Sequence, residues 1–464
     1  MIGLLLLVSV LFVGLTAVFV MMKMNDQLNR PEKASLLKEI DTLRSVLEDE
    51  EKIGTEASVH SDESVPEDSS ASEITPPAED APVPEKTPAA SETGAIDYRA
   101  GVVSLLDQLG QDIDEEDLPE FCQQMKDWFD VQEKKPYYLK LDLSEETEDI
   151  RTVVIGDTHC DPVSLSAILR KLLSSEYDYF GKGRIVFLGD YLDRGSIFFE
   201  YFRLLTRLKT LMGDRCILMK GNHELIEFDK YSGLLESMVY PSNTCPLLNE
   251  YCSEDKEFLT KFAEYVTNLP YYLLFKTRRG TDLLVHGGIP RDRYLDVCSI
   301  SPDTGEMILS DPSVQLDYIL DNMIWSDPHT APSKMQGPSA RFYFGRDQFT
   351  RFMEANGLNR LFRSHEPVVN GVESFYNDRL FTVFSNGGAE NECTGYPDVL
   401  NPVFGILSAE GDFRVESIFL KRVRLQSEVS LFETVLFMGK KAEGEVLNLK
   451  DLHLNPEFFV EKHV

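Results

Sequence analysis

The chain has 464 residues, of which 78 are acidic and 46 are basic, and its formal net charge is −32. This length can hold one large catalytic domain with appendages, or two domains. A nucleic-acid backbone is bound by Lys and Arg side chains that neutralise its phosphates, so the acidic excess argues against a nucleic-acid partner. The seven cysteines are dispersed along the chain, which argues against a disulfide framework.

The first 24 residues carry an apolar run. Residues 2–22 contain no charged side chain and are about as long as a segment that crosses a bilayer. No basic residue precedes the run and no small-residue cleavage site follows it, so it differs from a signal peptide. We therefore predict a single-pass anchor over residues 1–24. The positive-inside rule then predicts a cytoplasmic catalytic domain, since basic residues follow at Lys23, Arg30, Lys33 and Lys38.

Residues 25–97 are predicted to link this anchor to a folded domain. Apolar residues recur every three or four positions between 34 and 52, which predicts a short amphipathic helix. From residue 54 to about 96 the chain is rich in Ser, Glu, Asp, Pro and Ala. Such a segment has too little apolar surface to offset the entropy of folding, and we predict that it is disordered.

A folded domain is predicted over residues 98–425, beginning with two helices. The order that follows is a strand at 152–155, a helix at 163–173, a strand at 185–188, a helix at 197–211 and a strand at 216–219. This βαβαβ order implies a parallel sheet with right-handed crossovers. Later strands lack helices between several of them, so the second half is predicted to be antiparallel or mixed. The predicted fold class is α/β, with two mixed β-sheets packed as a sandwich and flanked by helices. Residues 426–464 are an extension of unknown role.

Polar residues follow each of the three early strands. Asp157 and His159 come after the first strand, and side chains two residues apart on an extended chain can point the same way and hold one ion. The second strand is followed by Asp190, Asp193 and Arg194, and the third by Asn222, His223 and Glu224. Ligands of open α/β sheets gather at the carboxyl ends of the strands, so we predict a metal-and-phosphate site there.

Two further motifs extend this candidate site. His286-Gly287-Gly288 follows an apolar strand, and Arg363-Ser364-His365-Glu366 comes later in the chain. Together these loops offer three His, two Asp and one Asn as a mixed set of candidate metal ligands. This mixture of oxygen and imidazole suits Mn²⁺, Fe²⁺ or Zn²⁺ better than Mg²⁺ or Ca²⁺, which prefer oxygen alone.

Five motifs together resemble the signature blocks of the PPP-type serine/threonine phosphatases, within the calcineurin-like metallophosphoesterase superfamily. They are Gly-Asp-Thr-His (156–159), Gly-Asp-Tyr-Leu-Asp-Arg-Gly (189–195), Gly-Asn-His-Glu (221–224), His-Gly-Gly (286–288) and Arg-Ser-His-Glu (363–366). The resemblance covers about residues 117–419. It implies that phosphoserine and phosphothreonine in a phosphoprotein are hydrolysed by in-line attack of a hydroxide that bridges two divalent metal ions.

The resemblance also implies individual roles. Asp157 and His159 would hold one ion, Asp190 would bridge both, and the second shell would be completed by Asn222, His286 and His365. His223 would donate a proton to the leaving group, with Asp193 orienting its ring. The substrate phosphate would be bound by Arg194 and Asn222, and by a second arginine for which Arg341 is the nearest candidate. The spacing of Arg341 from Phe344-Gly345 is shorter than in the family pattern.

Two departures from the family pattern stand out. Cys160 replaces the glycine that usually follows the first motif, and its thiol is either inert packing or a redox-sensitive group. The loop at 384–389 lacks the tyrosine that borders the substrate in the family, which leaves the choice of substrate open.

Three functions therefore remain open: a membrane-anchored protein phosphatase, a dinucleoside polyphosphate hydrolase or other phosphoesterase of the superfamily, and an inactive membrane-tethered scaffold. Glu224 and the Asp193-Arg194-Gly195 sequence favour the protein phosphatase. Every ligand position is filled, which argues against the inactive scaffold. The sequence does not identify a regulatory subunit.

Overall fold

A computed structural model describes residues 96–110, 113, 115–418, 420–422 and 460–461. The predicted anchor, nearly all of the linker and nearly all of the C-terminal extension lie outside these residues. No helix of the described part of the chain is long and apolar enough to cross a bilayer. The predicted membrane location is corrected by this finding and is not proposed again, whereas the predicted transmembrane helix falls on residues 1–24, outside the described residues.

The helices are α1 (Tyr98–Leu106), α2 (Leu118–Asp130), α3 (Pro162–Ser174), α4 (Phe198–Met212), α5 (Thr244–Tyr251), α6 (Lys256–Thr267), α7 (Leu316–Trp325) and α8 (Arg346–Ala355). Strands of the first half are β1 (Tyr138–Asp142), β2 (Arg151–Ile155), β3 (Arg184–Phe187), β4 (Cys216–Leu218), β5 (Ile226–Asp229), β6 (Leu234–Ser237), β7 (Tyr272–Thr277) and β8 (Gly280–Val285). Strands of the second half are β9 (Cys298–Ile300), β10 (Met307–Leu309), β11 (Ser326–Pro328), β12 (Phe342–Phe344), β13 (Leu358–Arg363), β14 (Val372–Phe375), β15 (Leu380–Val383), β16 (Val403–Ser408), β17 (Phe413–Ser417), β18 (Leu420–Arg422) and β19 (Val460–Glu461).

One sheet has the strand order β17-β16-β2-β3-β4. The strands β2, β3 and β4 are parallel, which confirms the predicted βαβαβ arrangement. The strand β16 is antiparallel to both of its neighbours, β2 and β17. Because the three parallel strands have their carboxyl ends on one edge, the loops that follow them meet there.

The second sheet has the order β1-β7-β8-β13-β15-β14 and is mixed, as predicted. The strands β8, β13 and β15 are parallel neighbours, whereas β7 is antiparallel to β8 and β14 is antiparallel to β15. The sequence analysis missed β1, which pairs in parallel with β7. It also missed the β5–β6 hairpin that follows the third polar cluster.

The two sheets share an apolar core, which confirms the predicted sandwich. Val154 and Val186 of the first sheet pack in one cluster with Leu284 and Phe362 of the second. The neighbouring residue Val153 belongs instead to the cluster that contains α3 and α4. Successive side chains of a strand face opposite sides, so β2 and β3 are buried on both faces and are apolar after their first one or two residues.

Candidate active site

The five polar motifs predicted from sequence come together. Asp157, Asp190 and Asn222 follow the carboxyl ends of β2, β3 and β4, and His286 and His365 follow β8 and β13. All five side chains are buried, with no more than 7% of any residue exposed. The sandwich therefore brings loops from both sheets to one place.

The first group of candidate ligands surrounds His159. Its Nε2 lies 3.4 Å from Asp157 Oδ2 and 3.4 Å from Asp190 Oδ2. The other ring nitrogen, Nδ1, lies 2.7 Å from the Leu192 carbonyl oxygen. A donor hydrogen on Nδ1 leaves Nε2 free as a ligand atom between the two carboxylates.

The second group surrounds His286. Its Nε2 lies 3.0 Å from Asn222 Oδ1, 3.1 Å from His365 Nδ1 and 3.3 Å from Asp190 Oδ1. Its Nδ1 lies 3.1 Å from the carbonyl oxygen of Leu188. The geometry therefore repeats that of His159, with one ring nitrogen fixed by the backbone and the other facing candidate ligands.

Asp190 connects the two groups through different oxygens. Oδ2 faces His159, while Oδ1 faces His286 at 3.3 Å and accepts a hydrogen bond from the His223 backbone N–H at 3.0 Å. One carboxylate placed between two clusters of donors is the arrangement expected of a ligand that bridges two cations.

The electrostatics of this cluster fit a pair of cations. Asp157 Oδ2 and His365 Nε2 are buried and make no hydrogen bond within the described residues. Burial and the positive charges of His286, Arg341 and Arg363 hold the pKa of His365 well below its usual range, so its ring is neutral. Burial acts to raise the pKa of Asp190, yet the neighbouring imidazoles lower it well below its ordinary value. Burial acts to lower the pKa of His159 and His286, but the neighbouring carboxylates raise it above its usual value. Divalent metals bind neutral imidazoles and ionised carboxylates, so cations at this cluster would displace protons from these two rings.

The backbone is strained at several of these residues. His159, Asp190, Asp193, Arg194 and His365 have φ angles of 43°, 56°, 65°, 66° and 72°. Non-glycine residues rarely adopt the left-handed region, and such strain clusters at functional sites. The residues with strained backbone therefore lie in the same loops as the sequence motifs.

Glu224 fastens the second and third loops to each other. Its Oε2 accepts hydrogen bonds from the N–H groups of Asp190 at 2.9 Å and Gly221 at 2.8 Å, and its Oε1 accepts one from Tyr191 at 2.8 Å. A Cβ atom at Gly221 would lie 2.2 Å from Asp190 Oδ1, so only glycine allows this approach. Glu224 was used in the sequence analysis only to separate substrate classes, and its supporting role was missed.

His223 and Asp193 form a buried pair beside the metal ligands. His223 Nδ1 lies 2.7 Å from Asp193 Oδ2, and His223 Nε2 lies 3.9 Å from Asp190 Oδ2. Burial acts to raise the pKa of Asp193, but the hydrogen bond and charge of His223 bring it below its ordinary value. The contact couples a carboxylate to one ring nitrogen and leaves the other directed at the cluster.

His223 could also be counted as a ligand, because His159, Asp190 and His223 lie close enough to hold one ion. We separate it from His159 by geometry. His159 Nε2 is equidistant from two carboxylates at 3.4 Å, whereas His223 Nε2 is 3.9 Å from one. His223 is therefore the better candidate for a proton donor at the edge of the cluster.

Arg194 borders the cluster and has a tyrosine neighbour. Its guanidinium donates to the Pro241 carbonyl oxygen at 3.2 Å. The Tyr396 hydroxyl lies 3.3 Å from His159 Nε2, and burial raises the pKa of Tyr396 against the opposing effect of Arg194. The loop at 384–389 lacks the family's tyrosine, as the sequence shows, but the structure places a different tyrosine beside the cluster. Tyr396 comes from further along the same connection, and no motif in the sequence marked it.

Arg341 lies on the opposite side of the cluster, next to His365. Its Nε donates to Asp327 Oδ2 at 2.6 Å, and a second nitrogen lies 3.6 Å from Glu366 Oε1. Asp327 Oδ1 also accepts a hydrogen bond from buried Arg363 at 2.7 Å. The structure thus brings Arg341 to the site despite its unusual spacing, and it shows Asp327 as a support that the sequence analysis did not assign.

Cys160 is packed rather than accessible. The residue is 1% exposed, and its sulfur lies 3.4 Å from the Tyr191 carbonyl oxygen. Burial raises the pKa of the Cys160 thiol well above its usual value. Since the thiolate is the form that oxidants attack, the packing interpretation is favoured over the redox one.

Known proteins that resemble this chain are phosphoesterases and protein phosphatases. Residues 150–369 match the family model of the calcineurin-like phosphoesterases. A probable serine/threonine-protein phosphatase of Encephalitozoon cuniculi is 30% identical over 303 residues, covering 64% of this chain and 57% of the relative. Serine/threonine-protein phosphatase PP1-1 of Saccharomyces cerevisiae is 30% identical over 238 residues, covering 49% of this chain and 69% of that protein.

A solved structure shows the same fold. It is a protein serine/threonine phosphatase from Saccharomyces cerevisiae with similarity to human phosphatase PP5, and it superposes with a TM-score of 0.51. The sequences are 22% identical, and the match covers 72% of this chain and 98% of the other.

Proposed function

Because this chain belongs to the PPP-type serine/threonine phosphatases of the calcineurin-like phosphoesterase superfamily, we propose that it hydrolyses phosphoserine and phosphothreonine in protein substrates. The catalytic unit would lie within residues 98–425. The observation that carries the proposal is the buried cluster in which the carboxylate of Asp190 faces both His159 and His286.

Enzymes of this family use two divalent metal ions, and the donor set fits such a pair. Asp157, His159 and Asp190 would hold one ion, and Asp190 would share the second with Asn222, His286 and His365. The mixture of imidazole and oxygen donors suits Mn²⁺, Fe²⁺ or Zn²⁺. Such a pair, when bound, lowers the pKa of a water molecule and stabilises the charge on the phosphoryl oxygens.

His223 would protonate the leaving alkoxide. Asp193 lies 2.7 Å from His223 Nδ1 and orients the ring, so the transferred hydrogen would leave from Nε2, the nitrogen that faces away from Asp193. That hydrogen points to the side of the cluster where Asp190 lies, 3.9 Å away. Proton donation of this kind matters most when the leaving group is a serine or threonine alkoxide, which is strongly basic.

Arg194 and Arg341 would bind the phosphate from two sides. Arg194 lies beside Tyr396, whose hydroxyl is 3.3 Å from His159 Nε2, whereas Arg341 is held by Asp327, whose Oδ1 is 3.9 Å from His365 Nε2. Guanidinium groups form paired, charge-assisted hydrogen bonds with phosphate oxygens, which orients the phosphorus for in-line attack. Asn222 would contact the phosphate through the part of its amide that does not face His286.

Metal analysis combined with turnover tests this proposal. Purified wild type supplied with Mn²⁺ should retain about two metal ions per chain and should release phosphate from a phosphoserine peptide faster than it cleaves a dinucleoside tetraphosphate. Asp190→Asn should lose both metal and activity. Asp142→Asn is a matched control, because Asp142 lies on β1 and pairs with Lys276 away from the site. Faster cleavage of the dinucleotide, or full activity of Asp190→Asn, would contradict the proposal.

A further inference from the structure

The strained turn Asp193-Arg194-Gly195 is held by the residues that begin α5. The Asp193 backbone N–H donates to Thr244 Oγ1 at 2.9 Å, and the Arg194 backbone N–H donates to Asn243 Oδ1 at 2.7 Å. The Asn243 amide in turn donates to the Gly195 carbonyl oxygen at 2.6 Å. Two side chains from one helix end thus form a hydrogen bond with one backbone group of each of the three residues in the turn.

The same helix end also selects which Asp193 oxygen faces the proton donor. Asp193 Oδ1 accepts hydrogen bonds from Ser242 Oγ at 2.8 Å, the Asn243 N–H at 3.0 Å and the Thr244 N–H at 2.9 Å. With Oδ1 fully engaged, Oδ2 is directed at His223. The orientation of the imidazole therefore depends on residues that do not touch it.

Two of these supports, Asn243 and Thr244, are buried, so water cannot replace them, whereas Ser242 is half-buried. Thr244 is 1% exposed and Asn243 is 8% exposed. A buried N–H that loses its acceptor stays unsatisfied unless the backbone moves. Loss of the Thr244 hydroxyl would therefore displace the backbone at Asp193, and loss of the Asn243 amide would displace it at Arg194.

We propose that Ser242, Asn243 and Thr244 are positioning residues for the hydrolysis, an inference that rests on the proposed function. Ser242 and Thr244 act on proton donation, because they hold Asp193 and through it His223. Asn243 acts on phosphate binding, because it holds the backbone of Arg194. The two roles predict two different kinetic defects from one helix end.

Thr244→Val tests the first role, since valine keeps the shape of threonine and lacks its hydroxyl. The kcat for a phosphoserine peptide should fall about tenfold to a hundredfold, because small displacements of catalytic groups cost that much. The kcat for p-nitrophenyl phosphate should change little, because nitrophenolate leaves without a proton. Thr244→Ser restores the acceptor and should recover the peptide rate. The milder Ser242→Ala should lower the peptide rate selectively in the same way.

Asn243→Ala tests the second role and has a matched control on the same helix. The KM for both substrates should rise about tenfold, because one charge-assisted contact with phosphate is weakened. Asn249→Ala also removes two hydrogen bonds to one backbone segment, those with the N–H and carbonyl oxygen of Leu235. Since Leu235 lies on the β5–β6 hairpin, Asn249→Ala should leave KM and kcat near the wild-type values.

Two results would overturn the inference. One is a kcat that falls equally for both substrates in Thr244→Val and Ser242→Ala, with no recovery of the peptide rate in Thr244→Ser. The other is a KM for Asn249→Ala that rises as much as that for Asn243→Ala. If Thr244→Val does not fold, Ser242→Ala and Thr244→Ser decide the first role. A wild type inactive on both substrates with Mn²⁺ would refute the proposed function instead.

Discussion

Replacing Asp193 with Asn should abolish proton donation by His223 while preserving the fold. Asp193 Oδ1 accepts hydrogen bonds from three donors, whereas Oδ2 faces His223 Nδ1 at 2.7 Å. An amide NH₂ group in this position would be repelled by the backbone N–H groups of Asn243 and Thr244, which can only donate. The amide oxygen of the variant must therefore take the Oδ1 position, and its NH₂ group must face the imidazole.

This orientation reverses the hydrogen bond to His223. The NH₂ group donates to Nδ1, so Nδ1 has to be unprotonated and the ring is held in its neutral form. The hydrogen that remains on Nε2 belongs to a neutral imidazole, which is a far weaker acid than an imidazolium. General acid catalysis contributes about 10²- to 10⁴-fold to a rate, so the barrier should rise by about 3–5 kcal/mol.

The assay is the kcat of Asp193→Asn on a phosphoserine peptide and on p-nitrophenyl phosphate, with metal content and thermal unfolding measured in parallel. We expect a large loss of kcat with the peptide only. The variant should still bind two metal ions, and its thermal unfolding midpoint should lie close to that of the wild type. Equal losses on the two substrates would show that Asp193 serves the metal site or the fold rather than His223. An unchanged peptide rate would refute proton donation by this pair.

Three further predictions follow from the same contacts. Removing metal with a chelator should abolish turnover, and added Mn²⁺ should restore it in the wild type but not in Asp190→Asn. Arg194→Ala should raise the KM for phosphate substrates about tenfold to a hundredfold, because a charged hydrogen bond contributes about 1.5–3 kcal/mol; Arg279→Ala, at an exposed residue that pairs with Asp412, is its control. Cys160→Gly should change the free energy of unfolding by less than about 1 kcal/mol, since relief of a φ of 52° offsets the lost burial of the thiol. Peroxide should affect wild type and Cys160→Gly alike.

Each of these predictions has a contrary outcome. Chelator-resistant turnover would remove the metal pair from the proposed chemistry. A KM for Arg194→Ala close to that of Arg279→Ala would exclude Arg194 from phosphate binding. Reversible inhibition by peroxide that Cys160→Gly escapes would restore the redox interpretation of that thiol.

The sequence predicted the parts of the fold that local pattern determines. β2, β3 and β4 are buried on both faces, so their continuous apolar runs were recognisable, and α3 and α4 were placed to within a residue or two. β1 was missed because it is a sheet edge with an irregular pattern of burial. The β5–β6 hairpin was missed because its residues are partly exposed and its pairing depends on the loop that it follows.

The candidate ligands were predictable because metal chemistry restricts residue types at strand ends. Their supports were not, because a support is defined by a contact between distant residues. Thr244 contacts Asp193 across 51 positions of sequence, and Tyr396 reaches His159 across 237. Serine, threonine, asparagine and tyrosine are common in loops for many reasons, so residue type alone marks none of them.

The backbone of the candidate active site is strained, so its catalytic residues depend on the contacts that support them. Five site residues have left-handed φ angles, and such conformations cost about 1–3 kcal/mol each when the residue is not glycine. The summed cost approaches the free energy of unfolding of a typical domain, about 5–15 kcal/mol. The contacts that surround these loops must therefore be strong enough to offset it. Glu224 binds three backbone N–H groups, and Arg363 is fully buried against Asp327 and the Gly287 carbonyl oxygen. Substitutions at these two residues should therefore lower stability and activity together. Substitutions at Arg194, whose guanidinium contacts the Pro241 carbonyl and Tyr396, should lower activity with little effect on stability.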